Sequence, residues 1–199
     1  IVSCIRLNIE INFLILFIVF NSTLIAYNFI KYASTLPYYF FVKKMSIKKI
    51  QYLSFFCGFS LIISLFYANI LTIFFGLFLS LFCFFYVIPF NRSKKNIRNH
   101  SRIKIFIVAF CWASVTVLFP LTNETDIDFL NSFLLFIQRF VFVIAYTIPF
   151  EIRDLKYDSL NLKTMPQVFG IKKTKKIALF LLLLFTLINL WLSPIILNY

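Results

Sequence analysis

The sequence predicts an all-α fold, a polytopic bundle of six transmembrane helices, on three observations. Hydrophobic residues make up 61% of the 199 and charged residues only 14%, whereas a soluble domain carries about 25% charged residues. The apolar residues gather into six runs, each near the ~20 residues that a helix needs to cross a bilayer. The basic residues gather in alternate loops between those runs. Mean hydropathy is +0.91. A buried soluble core accounts for one or two such runs but not for six. The 29 Phe also fit an AT-rich coding bias, so single aromatics carry little weight.

The first run covers about 11–30 and is followed by Lys31, Lys43, Lys44, Lys48 and Lys49. The second and third, about 50–67 and 69–90, are separated by little more than Ala68-Asn69, which predicts a tight antiparallel hairpin. Arg92, Lys94, Lys95, Arg98, Arg102 and Lys104 come next. The fourth run, about 105–121, leads into a loop with only acids: Glu124, Asp126 and Asp128. The fifth covers about 129–150 and precedes Arg153, Lys156, Lys163, Lys172, Lys173, Lys175 and Lys176. The sixth covers about 177–197.

Eighteen of the twenty basic residues thus lie in three alternate loops. By the positive-inside rule those loops face the cytoplasm and both ends of this chain face outward. The net charge of +13 reads as membrane topology rather than nucleic-acid binding. The expected location is the cell inner (cytoplasmic) membrane, with the polar loops, and any site built from them, on the cytoplasmic face. A single membrane domain over 1–199 is expected, without soluble module, linker or repeat. The chain begins at Ile1 rather than Met, so it is expected to be incomplete at its N-terminus and possibly extended at its C-terminus in the intact protein.

Four cysteines (Cys4, Cys57, Cys83, Cys111) show no metal-type spacing and read as buried apolar thiols. Arg139, beside Gln138, falls in the middle of the fifth run. A charge there either faces the bundle interior or a wet cavity, or snorkels and pairs with Asp126 or Asp128. Pro149 near the end of that run kinks the helix or starts a new one.

The densest chemistry follows: Glu151-Ile-Arg153-Asp154-Leu-Lys156-Tyr-Asp158, then Lys163-Thr164 and Gly170. Carboxylates at a membrane boundary are costly without compensation. At ~100° per residue, a helix through 151–158 stacks Glu151, Asp154 and Asp158 within an arc of roughly 60°. That geometry suits Mg²⁺, which is held by one or two carboxylates and a substrate's phosphates. It equally suits a salt-bridged loop, worth about 0–1 kcal/mol per pair.

The order Glu-x-x-Asp-x-x-x-Asp, then Lys163-Thr164 and Gly170, resembles the second aspartate-rich motif of the UbiA superfamily of intramembrane prenyltransferases, with Glu151 standing for its first Asp. Tyr86-Val-Ile-Pro89 followed by Arg92, Lys94 and Lys95 is similar to the family's tyrosine-and-basic loop. The resemblance implies part of a nine-helix fold, with this chain matching the second to seventh helices. It also implies Mg²⁺ on Asp154, Asp158 and Glu151, and a diphosphate held by Arg153, Lys163, Arg92 and Lys94. Tyr27, Asn28, Lys31, Tyr86 and Arg139 are then expected to line the substrate pocket. The implied partners are the lipid bilayer, a prenyl diphosphate and a hydrophobic or aromatic acceptor. The family's earlier motif, N-D-x-x-D-x-x-x-D, corresponds to Asn28-Phe29-Ile30-Lys31-Tyr32, where Phe29 and Tyr32 replace the first two acids.

Three functions follow as expectations: a divergent Mg²⁺-dependent prenyltransferase; a catalytically inactive prenyltransferase-like protein that binds an isoprenoid or a partner; or a small membrane transporter.

Overall fold

The computed structural model describes residues 1–32, 45–87, 101–157 and 162–192. All regular structure among them is helical: α1 (Val2–Leu7), α2 (Phe13–Tyr32), α3 (Met45–Leu65), α4 (Ile70–Val87), α5 (Ser101–Ala113), α6 (Phe129–Asp154) and α7 (Met165–Leu192). A π-helical turn, Ser114–Leu118, and a 3₁₀ turn, Pro120–Asn123, continue α5. The chain forms two compact units: Asn12–Ile88, and Ile1–Ile11 with Pro89–Tyr199.

The all-helical membrane fold is as expected, but the span count is corrected. Among the described residues four helical segments are long and apolar enough to cross a bilayer: Phe13–Tyr32, Ile103–Asn123, Phe129–Asp154 and Met165–Leu192. The two remaining expected spans are helical but less suited to crossing alone. α3 carries Lys48, Lys49 and Gln51 in its first turns, which shortens its apolar run, and Ile70–Tyr86 is a shorter apolar helix.

In the first of these units, α2 and α3 pack closely, and polar side chains join them across the contact. Ser60 Oγ donates to Asn21 Oδ1 at 2.9 Å, and Asn28 Nδ2 donates to Ser54 Oγ at 2.8 Å. The pairs 21–60 and 28–54 run in opposite directions along the two helices, so the helices are antiparallel. Such bonds between membrane helices contribute about 0.6 kcal/mol each on average. The turn Phe66–Asn69 is tight, with Tyr67 N–H donating to Ser64 C=O at 3.2 Å. The expected hairpin beyond it is not closely packed: α4 contacts α2 and has little contact with α3. Bulky Phe55, Phe56, Phe59, Phe74 and Phe78 stand exposed on these two helices, and close approach of membrane helices needs small residues at the seam.

In the other unit, α6 is the central element, packed on α5 and, most extensively, on α7. Its buried residues Ser132, Leu135, Gln138, Val141, Ile144, Ala145, Ile148 and Glu151 recur every three or four positions, a single stripe down the helix. Two core clusters form along it: Ile105, Ala109 and Ile144, and Val117, Leu135 and Leu192. Between them Gln138, 1% exposed, donates from Nε2 to Asn189 Oδ1 at 3.1 Å. Asp128 caps the start of α6 by accepting the Asn131 N–H at 3.1 Å.

Pro120 explains the irregular end of α5. It has no N–H to continue the helical ladder, and the Phe119 N–H reaches back five residues to Ser114 C=O at 2.9 Å. The sixth expected span starts earlier than its apolar run, at Met165, and is broken at Gly170 (φ 74, ψ 156). Only glycine adopts that backbone without strain, and Thr174 Oγ1 donates to its carbonyl at 2.9 Å. A methyl added at Gly170 meets nothing within 4 Å, so its cost is conformational.

Gly170→Ala is therefore expected to destabilise the protein by about 1–3 kcal/mol. Gly58→Ala, with open space and ordinary helical backbone, leaves stability unchanged or improves it by up to ~1 kcal/mol. Thermal unfolding of the two detergent-solubilised variants side by side checks the contrast.

Candidate functional site

The end of α6 and the start of α7 meet through one carboxylate. Glu151, 8% exposed, accepts the Met165 N–H at Oε2, 3.2 Å away. The first N–H groups of a helix have no partner within it, and their partial positive charge favours an anion. Gln167 Oε1 accepts the Thr164 N–H at 3.0 Å, the return half of a capping box. In that motif the N-cap hydroxyl normally accepts an N–H two or three residues on. Here Thr164 Oγ1, in a residue 3% exposed, has no partner among the described residues. Lys163 precedes it in a left-handed conformation (φ 52) with an exposed side chain, which turns the chain into α7.

Asp154, one turn beyond Glu151, projects into the open. Arg153 Nε donates to its Oδ1 at 2.7 Å and Nη2 to its Oδ2 at 3.2 Å. Both side chains are well exposed, so the pair is held loosely against water. The Arg153 guanidinium also stands 5.2 Å from the Phe150 ring centre, and Lys104 at the start of α5 adds a second positive charge near Asp154. A shallow, nearly apolar groove of about 360 Å³ runs beside this end, lined by Ile148, Pro149, Ile152, Lys175, Ala178, Leu179 and Leu182.

The structure thus puts Glu151, Arg153, Asp154, Lys163 and Thr164 at one end of the α6–α7 pair. Asp158, Arg92 and Lys94 lie outside the described residues. Arg139 is on α6 but twelve residues before Glu151, about 18 Å along the helix axis. It makes no ion pair with Asp126 or Asp128. Tyr27, Asn28, Lys31 and Tyr86 belong to the Asn12–Ile88 unit. There the Lys31 ammonium lies 5.6 Å and 5.5 Å from the ring centres of Tyr27 and Tyr32. Asn28 bonds Ser54, and Tyr86 is buried.

No group of three or more His, Cys, Asp or Glu is placed to hold a metal among the described residues. The donor chemistry still fits a hard cation such as Mg²⁺, which takes oxygen ligands and commonly one or two carboxylates. Glu151 and Asp154 are carboxylates one turn apart, and Thr164 Oγ1 is a buried oxygen without a partner. Thr164 and Gln167 are the residues at this joint that motif reasoning left without a role. Their spacing, Thr-x-x-Gln before a helix, was the signal that could have found them.

The described residues thus form a multi-helix membrane protein with carboxylates, cations and a hydroxyl at one helix-to-helix turn. The chain belongs to the UbiA prenyltransferase family, whose model matches residues 41–198, a family of membrane prenyltransferases. No curated protein and no solved structure matches it. The stretch 26–32, which the resemblance sets against the family's first motif, precedes the matched residues.

Glu151→Ala leaves the Met165 N–H without an acceptor and is expected to cost about 1–3 kcal/mol, with faster hydrogen exchange at Met165 and its neighbours in the first turn of α7. Glu151→Gln keeps an acceptor oxygen and loses less. Unchanged exchange in both variants would remove this carboxylate as the α6–α7 joint.

Proposed function

We propose that the protein transfers an isoprenyl group from a prenyl diphosphate to a hydrophobic acceptor, at a site built on the α6–α7 turn. The observation that carries this reading is the family match over 41–198, which takes in the acidic end of α6. In the reaction, the bond between the allylic carbon and the diphosphate oxygen breaks, and its electron pair leaves with pyrophosphate. The acceptor forms a bond to that carbon and gives up a proton. Catalysis then rests on stabilising the charge that develops on the leaving group and on keeping water from the cation.

Each side chain has a part in this scheme. Arg153 and Lys163, with Arg92 and Lys94, neutralise pyrophosphate oxygens, for which the Arg153 fork is well shaped. Thr164 Oγ1 donates to one of them. Asp154, Asp158 and Glu151 would hold Mg²⁺, which when bound supplies further positive charge to the leaving group. Asp154 would have to leave its pairing with Arg153 to do so, and the exposure of that pair makes it a weak one. The alternation of basic loops supports a cytoplasmic orientation for the site.

A second reading, a prenyltransferase-like protein that binds an isoprenoid without turnover, is favoured by one observation: the Glu151 carboxylate is engaged as a helix cap. The resemblance that sets Phe29 and Tyr32 against acids of the family's first motif points the same way.

The experiment is Mg²⁺-dependent pyrophosphate release from a long-chain prenyl diphosphate by membranes carrying the protein. Asp154→Asn combined with Asp158→Asn is expected to lower release on the order of 10²-fold or more. Equal release by both proteins sinks the enzyme reading for that substrate. Retained binding of the diphosphate without release supports the second.

A further inference from the structure

The groove beside the acidic turn is polar at one end and apolar along its length. Among its described lining residues Lys175 alone is charged. Lys175, Ala178, Leu179 and Leu182 are spaced three and four apart, so they share one face of α7 and cover about 10 Å of it. Buried Ile148, with Ile152, supplies the facing wall from α6. Lys175 is the lining residue of α7 that comes soonest after the turn from α6, and Leu182 the last. The groove therefore begins at an ammonium and continues as hydrocarbon toward the middle of the helix pair.

The protein's own side chains leave this face open. Leu179 and Leu182 are 60% and 41% exposed, and little of α7 is covered by the rest of the chain. Lys175 is exposed and pairs with no described carboxylate; the ion pair formed among the described residues is Arg153–Asp154. The carboxylates at the same end are engaged, Glu151 with the Met165 N–H and Asp154 with Arg153. Lys172, Lys173 and Lys176 stand exposed within a turn of Lys175. Positive charge thus gathers at the polar end of the groove.

We propose that this groove seats an anionic phospholipid, with one acyl chain along Ile148, Ile152, Leu179 and Leu182 and the headgroup phosphate at Lys175. The order of chemistry along the groove, charge and then hydrocarbon, is the order along such a lipid. A lysine suits the boundary, since its stem lies on apolar surface while its ammonium reaches headgroup level. Charge selects the class. The single ammonium in the lining matches the single negative charge of a phosphatidylglycerol headgroup. A zwitterionic headgroup would bring its own cation into a field already positive from Lys172, Lys173 and Lys176. Basic sites between membrane helices recognise anionic headgroups in this way. The volume, about 360 Å³, is within the range of clefts that hold small apolar ligands. The inference rests on no part of the prenyl-transfer reading.

The test is native mass spectrometry of the whole protein in detergent, with phosphatidylglycerol and phosphatidylcholine of the same acyl chains offered together. The wild type is expected to retain phosphatidylglycerol about fivefold more than phosphatidylcholine, the effect of one lysine at a membrane surface. Lys175→Gln loses that preference and Lys175→Arg keeps it. Lys176→Gln, next along the helix but outside the lining, retains most of it, which separates a groove from a generally basic helix end. Ala178→Phe fills the groove and lowers retention of both lipids. If that variant does not fold, the lysine variants, at exposed positions, decide the matter. Equal retention of the two lipids by the wild type overturns the proposal, as does a preference that Lys175→Gln and Lys176→Gln lower alike. A long-chain prenyl diphosphate that displaces phosphatidylglycerol and depends on Lys175 for binding gives the groove to that amphiphile and also overturns it.

Discussion

One constraint organises this protein: in hydrocarbon, a polar group must find its partner inside the fold. Glu151 shows the constraint most directly. It ends the buried stripe of α6 and holds the first N–H of α7, so one carboxylate settles both its own desolvation and an orphan donor. Below it, Gln138 and Asn189 repeat the arrangement in the middle of the same helix pair. Apolar packing along the stripe supplies the remaining contact between α6 and α7.

The Asn12–Ile88 unit meets the constraint by shorter side chains. Asn21 with Ser60, and Asn28 with Ser54, join α2 to α3 through amide and hydroxyl groups small enough to let the helices approach. α4 has few such residues and presents Phe to the surroundings instead. It follows α3 through a tight turn without packing along it. The same composition that makes a segment apolar enough for lipid thus also decides whether it can pack closely against a neighbour.

Some polar groups lie outside this matching. Asp154, Lys163 and Thr164 at the α6–α7 turn, and Arg6 and Arg139 within the bundle, are the main ones. They differ in kind. The first set is mixed in charge and mostly open to water, suited to exchange of ligands. The second is wholly positive and half-buried, with one shielded nitrogen on each guanidinium. Helical regularity separates them, since about 18 Å of α6 lies between Arg139 and Glu151.

Much of the plan was legible in the sequence. Long apolar runs with basic flanks gave helices near 11–30, 105–121 and 129–150, and the spacing of Glu151 and Asp154 gave their shared end of α6. These are properties of a segment read alone, since hydropathy sums along a helix and side-chain direction repeats every 3.6 residues. The sequence by itself therefore determined the helical class, the family and the position of the acidic turn. Tertiary structure decided the partners: that Glu151 caps α7, that Arg139 pairs with neither Asp126 nor Asp128, and that α4 leaves α3. Partnership depends on how each helix is rotated and how deep it sits. Packing against neighbours sets both, and that cannot be read from one segment's hydropathy.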